Sequence, residues 1–73
     1  MPAIEILKIL NSIPRLSPVL IASKTGIPIQ RVRNLLTVLL ELKVVETASR
    51  GLYQITDLGR YVLDKQLEVS FNE

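Results

Sequence analysis

Polar side chains at intervals of three and four residues form the part of this sequence best suited to recognise another molecule. At these intervals the side chains share one face of a helix, and they are Gln30, Arg33, Asn34 and Thr37. An arginine can donate two hydrogen bonds to a guanine edge, and a glutamine or asparagine amide can pair in a similar way with adenine. The face is therefore suited to contact base edges, although an ordinary solvated helix face carries the same residue types.

Residue types that support catalysis or metal binding are scarce. The chain has no cysteine and no histidine, which removes thiolate and imidazole nucleophiles and the usual zinc ligands. Only carboxylates, hydroxyls and amines remain. We therefore expect no catalytic residue, no metal and no cofactor, and we do not expect an enzyme.

The sequence shows no pattern typical of a membrane or targeting segment. No apolar run approaches the roughly 18 residues that span a bilayer. The start of the chain also lacks a basic stretch followed by an uninterrupted apolar one. Since a cysteine-free chain is compatible with a reducing compartment, we expect a cytoplasmic protein that does not bind membranes.

Charge is unevenly distributed along the chain. The net charge is only +2, but residues 15–50 hold six basic residues against two acidic ones, a local charge of +4. The basic residues of this middle segment are Arg15, Lys24, Arg31, Arg33, Lys43 and Arg50. The two ends hold three basic and five acidic residues, a charge of −2. A basic middle between acidic ends predicts that the middle meets an anion.

Three helices are predicted in the first part of a single domain that spans 1–73. Apolar periodicity and its interruptions place them at 3–13, 18–25 and 29–43. Pro14 closes the first helix, Ser17 caps the second and Gly26 ends it. The segment 15–16 could form a short bridging strand. The apolar face of the third helix is expected to contain Val32, Leu35, Leu36, Leu39 and Leu42.

A β-hairpin and a last helix are predicted in the second part. The β-branched residues of 44–47 and the alternating residues of 52–55 flank turn residues at 48–51. The pair at 56–57 caps a last helix, and the tail at 70–73 is expected to fray. The predicted fold is mainly α with a small β-hairpin.

The order of these elements and several residues within them are similar to a helix-turn-helix. In that pattern a small residue is followed by the turn glycine and by two buried apolar positions, here Ala22, Gly26, Val32 and Leu35. The segments 42–46 and 53–60 resemble the two wing strands and their flanking helices in bacterial and archaeal regulators of the MarR, ArsR and PadR kind. The resemblance covers nearly the whole chain. It departs at Val44, where those families often have glycine, and in lacking the Cys and His ligands of metal-sensing members.

The resemblance implies a winged helix-turn-helix whose third helix enters the major groove of DNA with its N-terminal half near the bases. Base contacts are then expected from Gln30, Arg33, Asn34 and Thr37. Phosphate contacts are expected from Lys24 and Arg31, and from Ser17 in addition to its capping role. Arg50 at the wing tip is expected to reach a minor groove or the backbone, although a lone solubilising arginine is the alternative. Glu41 would repel phosphates, so the DNA is expected to leave the helix before that turn.

The function implied is a sequence-specific transcriptional regulator, a repressor, bound to double-stranded DNA in the nucleoid. Two alternatives remain open. One is an architectural protein that coats DNA without a preferred site, against which the modest net charge of +2 argues. The other is a winged helix used for protein interaction, which would not need a basic recognition face.

A homodimer through helix 1 and the C-terminal helix is also expected. The apolar arc of helix 1 spans about 160°, wider than the arc of about 100° that one core contact requires. Leu63, Leu67 and Phe71 of the last helix are expected to share this surface. A core this small benefits from a second subunit, and the acidic ends would lie away from DNA.

Overall fold

The computed structural model of the chain describes the backbone of residues 1–72 and the side chains of residues 1–66. In chain order its elements are α1 (Pro2–Ser12), α2 (Pro18–Thr25), α3 (Ile29–Glu41), β1 (Val45–Ser49), β2 (Leu52–Ile55) and α4 (Asp57–Asn72). The two strands pair antiparallel. The prediction of a mainly helical chain with a small two-stranded hairpin is confirmed.

Helix α2 begins and ends at the residues that the sequence predicts. The Ser17 side chain accepts a hydrogen bond from the Leu20 N–H at 3.3 Å, which satisfies one of the unpaired amides of the first turn. At the other end Gly26 has φ 78 and its N–H donates to the Ala22 carbonyl oxygen. A glycine tolerates this left-handed conformation because it has no Cβ. Helix α1 likewise ends before Pro14, within one residue of the prediction.

The hydrophobic core joins all the helices to the hairpin. Its buried residues are Ile6, Leu7, Leu10, Leu16, Ile21, Val32, Leu36, Leu39, Val44, Val45, Ile55 and Leu63. Each helix contributes one face, and the prediction for α3 is confirmed at its buried positions. Leu42, however, is 59% exposed, so its assignment to the apolar face is wrong. Leu42 keeps right-handed helical dihedral angles and its N–H still donates to the Val38 carbonyl oxygen, so helical geometry places it on the flank of α3, to one side of Val32, Leu36 and Leu39.

The connection from α3 to β1 is a tight turn with a left-handed residue. Lys43 has φ 65, and the Val44 N–H donates to the Leu39 carbonyl oxygen at 3.2 Å. The Lys43 carbonyl oxygen accepts from the Thr56 hydroxyl at 2.7 Å. The same hydroxyl accepts from the Gly59 N–H at 3.0 Å, so Thr56 caps α4 as predicted and also fastens the turn.

The hairpin differs from its prediction by one or two residues at each end of β1. Val45 pairs with Ile55, and the register shifts between Thr47 and Ser49 as in a β-bulge. The bulge extends β1 to Ser49, so the turn is shorter than the predicted 48–51. Leu16 exchanges backbone hydrogen bonds of 3.1 and 2.8 Å with Tyr53, which confirms the expected bridging strand.

Helix α4 packs closely on the base of the hairpin. A Cβ placed on Gly59 would meet the Val44 carbonyl oxygen well inside van der Waals contact and would lie 2.6 Å from Ile55 Cγ1. The helix continues to Asn72, through most of the segment expected to fray, while Glu73 lies outside the described residues.

Within the part of the chain that is described, no helix combines the length and the hydropathy needed to cross a bilayer.

Candidate nucleic-acid interface

Helix α3 exposes one polar face while its opposite face lies in the core. At about 100° per residue, Val32, Leu36 and Leu39 point to one side of the helix, and all three are buried. The polar face is made by residues that are all exposed: Gln30, Arg33, Asn34 and Thr37. The structure therefore brings together the four residues predicted to contact bases.

Two hydrogen bonds organise this polar face from within. Gln30 Nε2 donates to Asn34 Oδ1 at 3.2 Å, one helical turn away. The Thr37 hydroxyl donates to the Arg33 carbonyl oxygen at 3.1 Å. Two of the four side chains are thus held to each other, and a third is held to the backbone. The Arg33 guanidinium extends from the same face and remains available for an external acceptor.

The basic residues near this face are not neutralised by neighbouring acids. Among the side chains of residues 1–66, Arg31, Arg33 and Arg50 form no ion pair. The ion pairs of the described side chains belong to the two ends of the chain, where Lys8 lies 3.6 Å from Glu5 and Arg60 lies 2.8 Å from Asp57. The local charge of the middle segment is therefore presented to solvent.

Lys24 lies apart from the polar face. It lines a groove of about 210 Å³ between α1 and α2, together with Lys8 and Ser12 and with no residue of α3. Ser17 stands at the other end of α2, half-buried, with its hydroxyl engaged in the cap. The predicted phosphate contacts from Lys24 and Ser17 thus belong to opposite ends of α2.

Arg50 is exposed at the tip of the hairpin. It forms the turn with Gly51, which has φ 73 and open space around its Cα. Tyr53, on the adjacent strand, is half-buried and packs against the core, so it is not free to stack on a base. Arg50 is therefore the charged side chain that the tip of the hairpin presents to solvent.

Two features of the surface were not predicted. Val38 and Leu42 are 52% and 59% exposed on the flank of α3 that also carries Arg31. A shallow cleft of about 500 Å³ lies between the hairpin and the start of α4, with Lys43 and Arg60 among its lining residues. The helical spacing of Val38 and Leu42 with Arg31 could have indicated the first feature, but the cleft depends on how α4 docks.

Comparison with known proteins gives no match to a protein-family model, and no curated protein matches the sequence significantly. The function is therefore argued from the geometry and charge of the site.

Proposed function

We propose that this chain is a winged helix-turn-helix protein that binds double-stranded DNA and acts as a sequence-specific transcriptional regulator, a repressor, in the nucleoid of the cytoplasm. The observation that supports it most is the exposed polar face of α3. It combines hydrogen-bonding side chains of base-reading length with arginines that no described acid neutralises. The activity is binding alone, without a catalytic step, a metal or a cofactor.

The arrangement of the elements favours this proposal. Helix α2 packs on α3, and the glycine turn at Gly26 separates them, as a helix-turn-helix requires. Helix α3 has 13 residues, which at about 1.5 Å per residue gives a rod of roughly 20 Å. The major groove, about 12 Å wide, admits such a helix. The hairpin that follows corresponds to the wing, with Arg50 at its tip.

In this proposal the contacts divide into two classes. Base edges are read by the polar face of α3, while phosphates are held by residues of α2, α3 and the hairpin outside that face. The phosphate contacts come from Ser17 and the α2 amides, from Lys24, from Arg31 and from Arg50. Glu41 is exposed on the last turn of α3 and marks where the duplex leaves the helix.

The decisive experiment reverses two charges on α3 and compares binding to a duplex as salt is varied. The variant Arg31→Glu/Arg33→Glu should lose most of its affinity, because two favourable phosphate or base contacts become repulsive. The slope of log K against log salt should fall by about 0.9 for each phosphate contact removed. The matched control is Arg60→Glu/Lys65→Glu, which makes the same change in net charge on α4, an element that makes no proposed contact with DNA.

We expect the control variant to bind DNA nearly as well as the unaltered protein. Equal losses in both variants would mean that only net charge matters, and no loss in either would overturn the proposal. Competition with random duplexes separates a regulator from an architectural protein, because the latter is displaced equally well by any sequence.

A protein-interaction module is the second candidate function, and the exposed pair Val38 and Leu42 specifically favours it. Single exposed apolar residues are common, but two at helical spacing on the flank of α3 form a small apolar stripe. This function predicts no measurable affinity for duplex DNA, together with a protein partner whose affinity is insensitive to salt and lost in Val38→Glu. The regulator instead predicts measurable affinity for duplex DNA and no protein partner whose binding is lost in Val38→Glu.

A further inference from the structure

We propose that the polar face of α3 reads A·T base pairs at two positions, with Gln30 as the adenine reader, Asn34 as the residue that positions it, and Thr37 as the contact for a thymine methyl group. The inference rests on the proposed DNA-binding function and specifies the substrate class of that site. It is carried by the two hydrogen bonds within the face, since each fixes which groups remain for a base.

The bond between Gln30 and Asn34 leaves the glutamine with the pattern that adenine requires. A glutamine amide has two N–H donors and one acceptor oxygen. One N–H of Gln30 donates to Asn34 Oδ1. The second N–H and the oxygen remain, and adenine offers the complementary pair, the N7 acceptor and the N6 amino donor. Gln30 can therefore be held by its neighbour and still bind adenine through two hydrogen bonds.

Asn34 is placed to orient this amide rather than to read the adenine itself. Its oxygen already accepts from Gln30, so turning that oxygen to a base would break the bond. An unrestrained glutamine on a helix surface samples many rotamers, and fixing it before binding removes an entropic penalty at the interface. The pair at i and i+4 thus works as a unit in which Asn34 holds the orientation of Gln30.

The Thr37 hydroxyl has no hydrogen left to donate to a base acceptor. Its hydroxyl hydrogen is directed to the Arg33 carbonyl oxygen within the helix. Its methyl group remains on the exposed side chain, and the characteristic partner of such a methyl in the major groove is the C5-methyl of thymine. Gln30 and Thr37 lie two turns apart on the same face, so they contact different base pairs.

The test begins with duplexes selected by the protein from a random pool. We expect the selected sites to contain one A·T pair whose preference depends on Gln30 and a second A·T pair whose preference depends on Thr37. Replacing the first adenine with 7-deazaadenine removes N7 and should weaken binding about tenfold, the lower part of the range for a bidentate pair. Replacing the second thymine with uracil removes its methyl and should weaken binding by a smaller factor.

Variants assign each of these effects to a side chain. In Gln30→Ala, replacing adenine with 7-deazaadenine should no longer weaken binding, and in Asn34→Ala it should weaken binding less. The double variant should bind the selected duplex as tightly as Gln30→Ala does. Asn34→Asp keeps the acceptor for Gln30, so it should retain the response to 7-deazaadenine even though its charge lowers overall affinity. Thr37→Val keeps a methyl and should retain the response to uracil, whereas Thr37→Ser should lose it.

Different failures have different meanings. Selected sites that ignore 7-deazaadenine and uracil, or additive losses in Gln30→Ala and Asn34→Ala, would overturn this inference and leave duplex binding intact. Duplex binding that does not respond to charge reversal on α3 would overturn the proposed function and this inference together. Circular dichroism of each variant should give the helical signal of the unaltered protein.

Discussion

At the scale of single residues, the most unusual backbone is at Lys43. A residue with a Cβ is disfavoured in the left-handed region by about 1 kcal/mol or more, yet Lys43 has φ 65. The hydrogen bond from Thr56 to its carbonyl oxygen and the buried side chain of Val44 hold it there. The resemblance to the winged regulators locates a missing glycine at Val44, whereas the conformation that glycine suits occurs one residue earlier.

Lys43→Gly is therefore expected to stabilise the protein. Removing the Cβ relieves the steric strain of the left-handed conformation. The larger conformational entropy of glycine in the unfolded chain offsets part of this gain in stability. We expect the free energy of unfolding in urea to rise by about 0.5 to 1 kcal/mol. The matched control is Lys24→Gly inside α2, which should lower it by about 1 kcal/mol. A loss of stability in Lys43→Gly would contradict the strain attributed to this turn.

At the scale of elements, the hairpin and α4 meet at Gly59. The backbone of α4 approaches the Val44 carbonyl oxygen and the Ile55 side chain so closely that no Cβ fits between them. Glycine within the first turn of a helix lowers helix propensity by about 1 kcal/mol relative to alanine. The packing of α4 on the hairpin therefore outweighs the local preference for a better helix former.

Gly59→Ala should destabilise the protein despite its higher helix propensity. Overpacking of a close contact costs about 1 to 3 kcal/mol, and here the nearest atom is backbone that cannot rotate away. We expect a loss of about 2 kcal/mol in the free energy of unfolding. Gly51→Ala is the comparison, because it has open space and only its positive φ to oppose a Cβ. A gain of stability in Gly59→Ala would show that α4 can move away from the hairpin.

At the scale of the whole molecule, the expected homodimer surface needs revision. Leu63, one of its predicted residues, is only 4% exposed and lies in the core of its own chain. The side chains of Leu67 and Phe71 lie outside the described residues. Among the side chains of α4 that the structure describes, the exposed large apolar ones are instead Leu58 and Tyr61, which are 49% and 59% exposed at helical spacing.

If the protein is a dimer through its terminal helices, its mass in solution should be twice 8.2 kDa. Leu58→Glu/Tyr61→Glu should convert it to monomers of unchanged helical content, because burying two carboxylates at an apolar contact is strongly unfavourable. Light scattering after size-exclusion chromatography measures the mass. Val38→Glu on α3 is the control and should remain dimeric. A mass of 8.2 kDa for the unaltered protein at tens of micromolar would rule this dimer out.

The helices, the caps of α2 and the polar face of α3 were determined by local features of the sequence. Ser17 and Gly26 act on their own backbone neighbours, and the spacing of Val32, Leu36 and Leu39 defines a face whatever it packs against. These signals reach only a few residues along the chain, so they are readable without a tertiary structure. The residues of the candidate interface on α3 could for this reason be named from the sequence.

Tertiary contacts and side-chain rotamers decided the extent of β1, the surroundings of Lys24 and the hydrogen bonds of the polar face. β1 extends to Ser49 because a bulge shifts its register against β2. The groove that holds Lys24 exists only where α1 and α2 meet. The hydrogen bonds that connect Gln30 to Asn34 and Thr37 to Arg33 depend on side-chain rotamers that spacing permits but does not fix. Spacing places side chains on a face, while packing and rotamers decide which atoms that face presents.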